Sequence, residues 1–202
     1  MGDTTQYEFD GGVTVRAVMM AMGVGLALNL LSGFGGAVAA ADDPGPLAKL
    51  VDDATLRLQT ADPVAASKFL TGGAVDDPAR EQQVLDAVEG SAAARHLDSA
   101  FVHDVFRDQI DATDSLEHSR FAEWKIDPLA APKAAPDLSA SRDAINHLNE
   151  AMVDDIAQQW NALHAPTCAG DLARATAAAV AQRHLDPLYE HALDYAVHRY
   201  CH

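Results

Sequence analysis

Basic residues are scarce in this chain: 14 Lys and Arg stand against 30 Asp and Glu, a formal charge of −16 over 202 residues. Nucleic-acid backbones and anionic lipid surfaces repel such a chain, which excludes both as general partners. Any anion it binds has to be held by a local cluster of Lys and Arg. Strand signals are missing too, with no period-2 run, no Asn-Gly hairpin and no Gly-rich phosphate loop. Metal motifs are absent: there is no Cys-x-x-Cys, no His-Glu-x-x-His and no paired Glu-x-x-His of the di-iron bundles. His191, His198 and His202 share one face of the last helix, but His at a helix end is ordinarily solvated, so no metal site is expected. No Ser lies in a nucleophile elbow, which argues against covalent catalysis. With 49% hydrophobic and only 6% aromatic residues, the chain can form one ordinary domain.

The first forty residues are a separate object. Arg16 precedes an apolar run from Ala17 to Leu31, and a Gly/Ala stretch ends in Ala37-Val38-Ala39. This reads as a signal peptide over residues 1–39, cleaved near Ala39, with a helical domain over 40–202. An uncleaved membrane anchor is the competing reading, although the run is shorter than the ~20 apolar residues that span a bilayer. Cleavage removes Asp3, Glu8, Asp10 and Arg16, leaving a charge of about −14 and no stable membrane association. The leader contains no Cys, which argues against a lipidated N-terminus. Export gives meaning to the only two cysteines, Cys168 and Cys201. A disulfide is the default for them, two free thiols the alternative.

What the chain does contain is helical periodicity. Leu47, Leu50, Val51, Ala54 and Leu58 recur at three and four residues. Asp62-Pro63, Asp77-Pro78 and Asp186-Pro187 each read as an N-cap followed by Pro at the first helical position. At Asp62 the first helix either kinks or gives way to a second, which Gly72-Gly73 ends. A further helix runs from Arg80 to Ala94. After the long pattern from Asp98 to Trp124, a Pro- and Ala-rich connection, Pro128 to Pro136, leads to a helix capped by Asp137 or Ser139 and running to about His164. Helices over Asp171 to His184 and Asp186 to Cys201 complete an all-α, single-domain bundle of about six helices. The last two form a hairpin that a Cys168–Cys201 disulfide closes at its open end.

The long helix has polar residues where a core helix has none. Phe101, Val102, Val105, Phe106, Leu116 and Trp124 define an apolar face, and Gln109, Thr113, Glu117 and Arg120 fall inside it. Asp104, Asp108, Asp111 and His118 lie opposite, where a solvated helix carries its charge. The inward polar stripe is either an internal Glu–Arg pair with a back-bonded Thr, or the wall of a pocket. Arg57, Lys68, Arg80 and Arg142 also sit on or beside apolar helical faces. Each alone can snorkel to the surface. Together, beside Thr113 and Glu117, they make a cationic pocket suited to a small di-anion.

The order Arg57, Lys68, Arg80, Thr113, Glu117, Arg142, with Asp62-Pro63-Val64-Ala65-Ala66, Ser119-Arg120-Phe121, Trp124-Lys125, Pro136 to Arg142 and the two cysteines, resembles the secreted, all-helical chorismate mutases. The similarity extends from about Leu47 to Cys201. It implies a single-chain active site inside the bundle, a C-terminal disulfide, a homodimer, no cofactor, and conversion of chorismate to prephenate in the periplasm or outside the cell. That pericyclic reaction needs no nucleophile, metal or obligatory proton transfer. The enzyme holds a flexible dicarboxylate in its folded conformer and stabilises charge growing on the ether oxygen. By the resemblance, Arg57 and Arg142 clamp carboxylates, Arg80 adds a contact, Lys68 faces the ether oxygen, and Glu117 joins it in protonated form.

Two positions depart from the family pattern. Asp114 stands where a Glu is usual, and Val84 where secreted members commonly carry Gln, a residue that meets the substrate hydroxyl. Glu81, directly after Arg80, resembles the Arg-Glu pair of the simpler bacterial enzymes and is a candidate replacement contact. The competing function is a non-catalytic secreted helical module that binds a small dicarboxylate, an alternative that Val84 keeps open.

Overall fold

In the computed structural model, residues 43–201 are described, and every regular element among them is helical. The signal-peptide reading of residues 1–39 lies outside these residues. None of the described helices is long and apolar enough to cross a membrane.

The first segment is α1, Ala48–Gln59, followed at once by α2, Ala61–Thr71. Leu50, Val51, Ala54 and Leu58 of α1 are fully buried, the inward stripe that the spacing predicts. Pro63 explains why the two are not one helix: lacking an N–H, it cannot occupy a helix interior without losing a bond and clashing with the preceding turn. The break falls at Thr60, not at Asp62 as the Asp-Pro signal suggests. Pro63 thereby becomes the third residue of α2, where backbone N–H groups have no intrahelical partner to lose. Thr60 donates its hydroxyl to the Arg57 carbonyl at 2.7 Å, and Asp62 is left to pair with another helix. Gly72, with φ of 74°, ends α2 in the left-handed region.

The other start signals behave as read. Asp77 accepts from the Arg80 N–H to open α3, Pro78–Ala94. Asp98 caps α4, Ser99–Ile126, and Asp137 caps α5, Leu138–Gln158. Asp186 accepts from the Tyr189 N–H to open α8, Pro187–Val197. The run expected to continue to His164 is interrupted at Gln159, after which a single turn, α6, spans Trp160–Leu163. Then α7, Cys168–Arg183, stops at His184, whose φ is 50°.

The long α4 is the centre of the bundle, packed on α2, α3 and α8, while α1 packs on α5, α7 and α8. Leu47, Leu58, Phe106, Leu116, Met152 and Leu193 fill the core between them. A second apolar cluster, in which Phe69 meets both Phe121 and Trp124 edge-on at 5.3 Å, joins α2 to the far end of α4.

Because α8 covers the back of α4, Asp108 is fully buried rather than solvated as its wheel position suggests. Arg199 donates to its Oδ1 at 2.7 Å, and His198 lies 3.5 Å from Oδ2. A buried carboxylate in such a place requires this pairing. Asp104, Asp111 and His118 are exposed or half-exposed, as expected of that side.

The Cys168–Cys201 disulfide ties the start of α7 to the residues after α8, with Cα atoms 5.7 Å apart. Closing a loop of 33 residues' separation contributes about 4 kcal/mol in the chain-entropy model. Replacing both cysteines by Ala is expected to lower the unfolding free energy by about that amount in urea titration. An unchanged midpoint and slope contradict the assignment.

Candidate active site

Four helices bring one cation each to a single cavity of about 90 Å³ that opens to solvent. Arg57 comes from α1, Lys68 from α2, Arg80 from α3 and Arg142 from α5. The inner wall is α4, which contributes Ile110, Thr113, Asp114 and Glu117. Thr113 and Glu117 are one turn apart and so face the same way. Val64, Val75, Val84 and Ile145 supply apolar lining.

Arg57 is the deepest of the cations, 4% exposed, and among the described residues it makes no ion pair with a carboxylate. Its Nε donates to Asn149 Oδ1 at 2.8 Å, and its Nη1 donates to the Gln109 carbonyl and to Thr113 Oγ1, both at 3.3 Å. The Phe106 ring lies 5.9 Å from its guanidinium carbon. Burial pushes its pKa down to about 10, so it remains charged at neutral pH. A buried guanidinium held by neutral groups leaves its charge available to an anion.

Lys68 donates to the Val75 carbonyl at 2.7 Å and to Glu117 Oε2 at 2.8 Å. Glu117 is 3% exposed. Burial raises its pKa to about 7 despite the opposing pull of Lys68. It is therefore partly protonated near neutrality and able to donate as well as accept. Arg80 Nη2 donates to Asn146 Oδ1 at 2.7 Å. Arg142 is the outermost cation, with a side chain 48% exposed and Asp77 4.0 Å away, so it stands at the mouth.

Glu81 and Val84 both line the cavity, one turn apart on α3. Glu81 Oε2, however, already accepts from Arg107 at 3.0 Å. Arg107 is held in turn by Asp111. Two residues of the inward stripe lie elsewhere. The Gln109 side chain is buried outside the cavity, and Arg120 pairs with Asp62 on α2 and Glu123 on its own helix.

Sequence patterning does not mark the two asparagines that hold Arg57 and Arg80. Asn149 carried a usable signal: it falls on the α5 stripe formed by Ile145, Met152 and Ile156, where a buried amide needs a partner. Asn146 is exposed and carried none. Among the described residues no group of three or more His, Cys, Asp or Glu is arranged to hold a metal ion.

Comparison with known proteins agrees with this geometry. The family described as chorismate mutase type II matches residues 48–118, which span α1 to the middle of α4. A protein of Mycolicibacterium smegmatis named secreted chorismate mutase is 60% identical over 176 residues, covering 87% of this chain and 97% of that one. A protein of the same name from Mycobacterium tuberculosis is 45% identical over 181 residues, covering 90% and 91%. The crystal structure of a chorismate mutase from Burkholderia thailandensis superimposes with a TM-score of 0.73 at 32% identity, over 77% of this chain and 99% of that one. Relatives this similar along nearly their whole length establish that the chain belongs to the chorismate mutase family, with residues 48–118 matching its type II model.

Proposed function

We propose that the protein is an exported chorismate mutase that converts chorismate to prephenate in the cavity between α1, α2, α3, α4 and α5. The observation that carries this reading is Arg57, a buried cation that forms no ion pair among the described residues, at the bottom of a cavity ringed by three further cations.

The substrate is a flexible ring ether with two carboxylates and one hydroxyl. In the reaction a carbon–carbon bond forms between the two ends of a six-atom array as the ether carbon–oxygen bond at its centre breaks and the two double bonds shift. No atom leaves and none is gained. The protein lowers the barrier by holding the folded conformer and by offering positive charge where negative charge grows. Arg57, deep in the site, and Arg142, at its mouth, take the two carboxylates with their forked donors, and Arg80 supports them. Lys68 faces the ether oxygen. Protonated Glu117 donates to that same oxygen through the carboxyl oxygen that Lys68 does not hold, a role consistent with a pKa near 7.

Export, with residues 1–39 as a cleaved signal peptide, is part of the proposal, as are a periplasmic or extracellular site of action and a homodimer. The names of the mycobacterial relatives support export. Purified protein incubated with chorismate is expected to remove its ultraviolet absorbance catalytically. No loss, combined with tight binding of a bicyclic transition-state mimic, favours the non-catalytic dicarboxylate-binding module instead.

Because Arg107 occupies Glu81, Glu81→Ala is expected to change the Michaelis constant and turnover number by less than about threefold, a loss of roughly 0.6 kcal/mol. A rise in the Michaelis constant beyond about tenfold assigns the hydroxyl contact to Glu81.

A further inference from the structure

We infer that Tyr200, held in the C-terminal clasp beside the disulfide, is a positioning residue for Arg57 and acts on it through Gln109. The inference rests on the chorismate reading above and gives a use to an inward polar residue that the cavity leaves out.

Gln109 is fully buried on α4 and does not line the cavity. A buried amide is costly unless it meets a partner. Its backbone carbonyl accepts from Arg57 Nη1 at 3.3 Å and from Thr113 Oγ1 at 2.7 Å, so the residue that carries this amide also holds the deepest cation. Its side chain faces the hydroxyl of Tyr200, which is 1% exposed. Neither the amide nor the hydroxyl takes any other partner among the described residues. Burial pushes the Tyr200 hydroxyl well above the ordinary phenol range, so it stays neutral, while the charge of Arg57 and the Gln109 amide pull the other way. Tyr200, Gln109 and Arg57 thus form one buried polar line from the C-terminus to the site.

The residues on either side of Tyr200 are anchored. Arg199 donates to Asp108 Oδ1 at 2.7 Å and lies 3.2 Å from Asp104, and His198 lies 3.5 Å from Asp108 Oδ2. Cys201 is bonded to Cys168 at the start of α7. Residues 198–201 therefore clasp α4 and α7, and the buried carboxylate they grip belongs to Asp108, the neighbour of Gln109. A side chain between two anchors has little conformational freedom left to lose. That rigidity reaches Arg57 through the Gln109 carbonyl, and a guanidinium that must meet a carboxylate needs its place held to about 0.5 Å.

Tyr200→Phe keeps the ring and removes the hydroxyl. Arg57 grips a carboxylate that the substrate carries both before and during the reaction, so loosening it weakens ground state and transition state alike. KM is expected to rise about 3- to 10-fold, the range for one neutral hydrogen bond, with kcat within about twofold of wild type. In an Arg57→Lys background the same substitution is expected to move KM by less than about twofold, because the guanidinium it positions is gone. A merely structural Tyr200 lowers the folded fraction, which lowers apparent kcat and leaves KM unchanged. That result overturns the inference, as does an undiminished KM effect in the Arg57→Lys background. Joining Gln109→Leu to Tyr200→Phe makes both partners apolar, so the urea midpoint is expected to return toward wild type while the raised KM persists. A KM that recovers along with stability overturns the inference. Should the wild type not turn over chorismate, the catalytic reading fails, and calorimetry of the bicyclic mimic supplies the readout. Binding 3- to 10-fold weaker in Tyr200→Phe then upholds the inference, and unchanged affinity overturns it.

Discussion

Replacing Arg57 with Met is expected to abolish useful turnover while leaving the protein folded. The guanidinium is buried against Asn149, Thr113 and the Gln109 carbonyl, without an ion-pair partner among the described residues. Once a substrate carboxylate docks, the pair becomes a desolvated ion pair. Truncating one partner of such a pair costs about 2–5 kcal/mol, or roughly 30- to several-thousand-fold in kcat/KM. Stability behaves differently. Removing the cation relieves the burial that holds its pKa down to about 10, but it leaves the Asn149 oxygen without its donor, at about 1–3 kcal/mol. Met is similar in length and apolar, so the two effects oppose and unfolding is expected to stay within about 2 kcal/mol of wild type. Urea titration beside steady-state kinetics checks both halves. A variant that remains active, or one that fails to fold, contradicts this role for Arg57.

The second large effect concerns pH. If protonated Glu117 donates to the ether oxygen, activity is present below its pKa of about 7 and lost above it. The protonated fraction falls about tenfold per unit above that value, so at pH 9 the wild type retains roughly one hundredth of its activity. Glu117→Gln keeps a donor and cannot ionise, so its profile is expected to be flat through this range. Stability carries the same sign. Between its ordinary value of 4.5 and about 7, the folded protein holds a proton that the unfolded chain has released, so stability falls as pH rises through that window. The Gln variant loses that slope. A Gln variant inactive at every pH contradicts the role of Glu117 as donor.

Local signals carried much of the architecture. Three- and four-residue spacing marks the inward face of α1, and Asp-Pro at 77 and 186 opens α3 and α8 because a capping carboxylate and a fixed φ act within one turn. The same local rule misplaces the α1–α2 joint. Asp62 has the chemistry of a cap, but Pro63 is tolerated anywhere in the first turn, and Asp62 is drawn to Arg120. Asp108 exposes a different limit: a helical wheel assumes one buried face, and α4 has partners on both sides. At the site, Arg57, Lys68, Arg80, Arg142, Thr113 and Glu117 were legible because polar groups on apolar faces stand out in so acidic a chain. Asn146 and the partnership of Arg107 with Glu81 were not, since both depend on which neighbouring helix lies opposite.

The central claim is that the cavity is complementary to the compact, charge-separated transition state rather than to chorismate itself. Measuring the inhibition constant of the bicyclic transition-state mimic against the KM for chorismate, on the same purified protein, tests this most directly. The mimic is expected to bind at least about 100-fold more tightly, as differential binding requires. Equal affinity for the two, with all four cations in place, contradicts it.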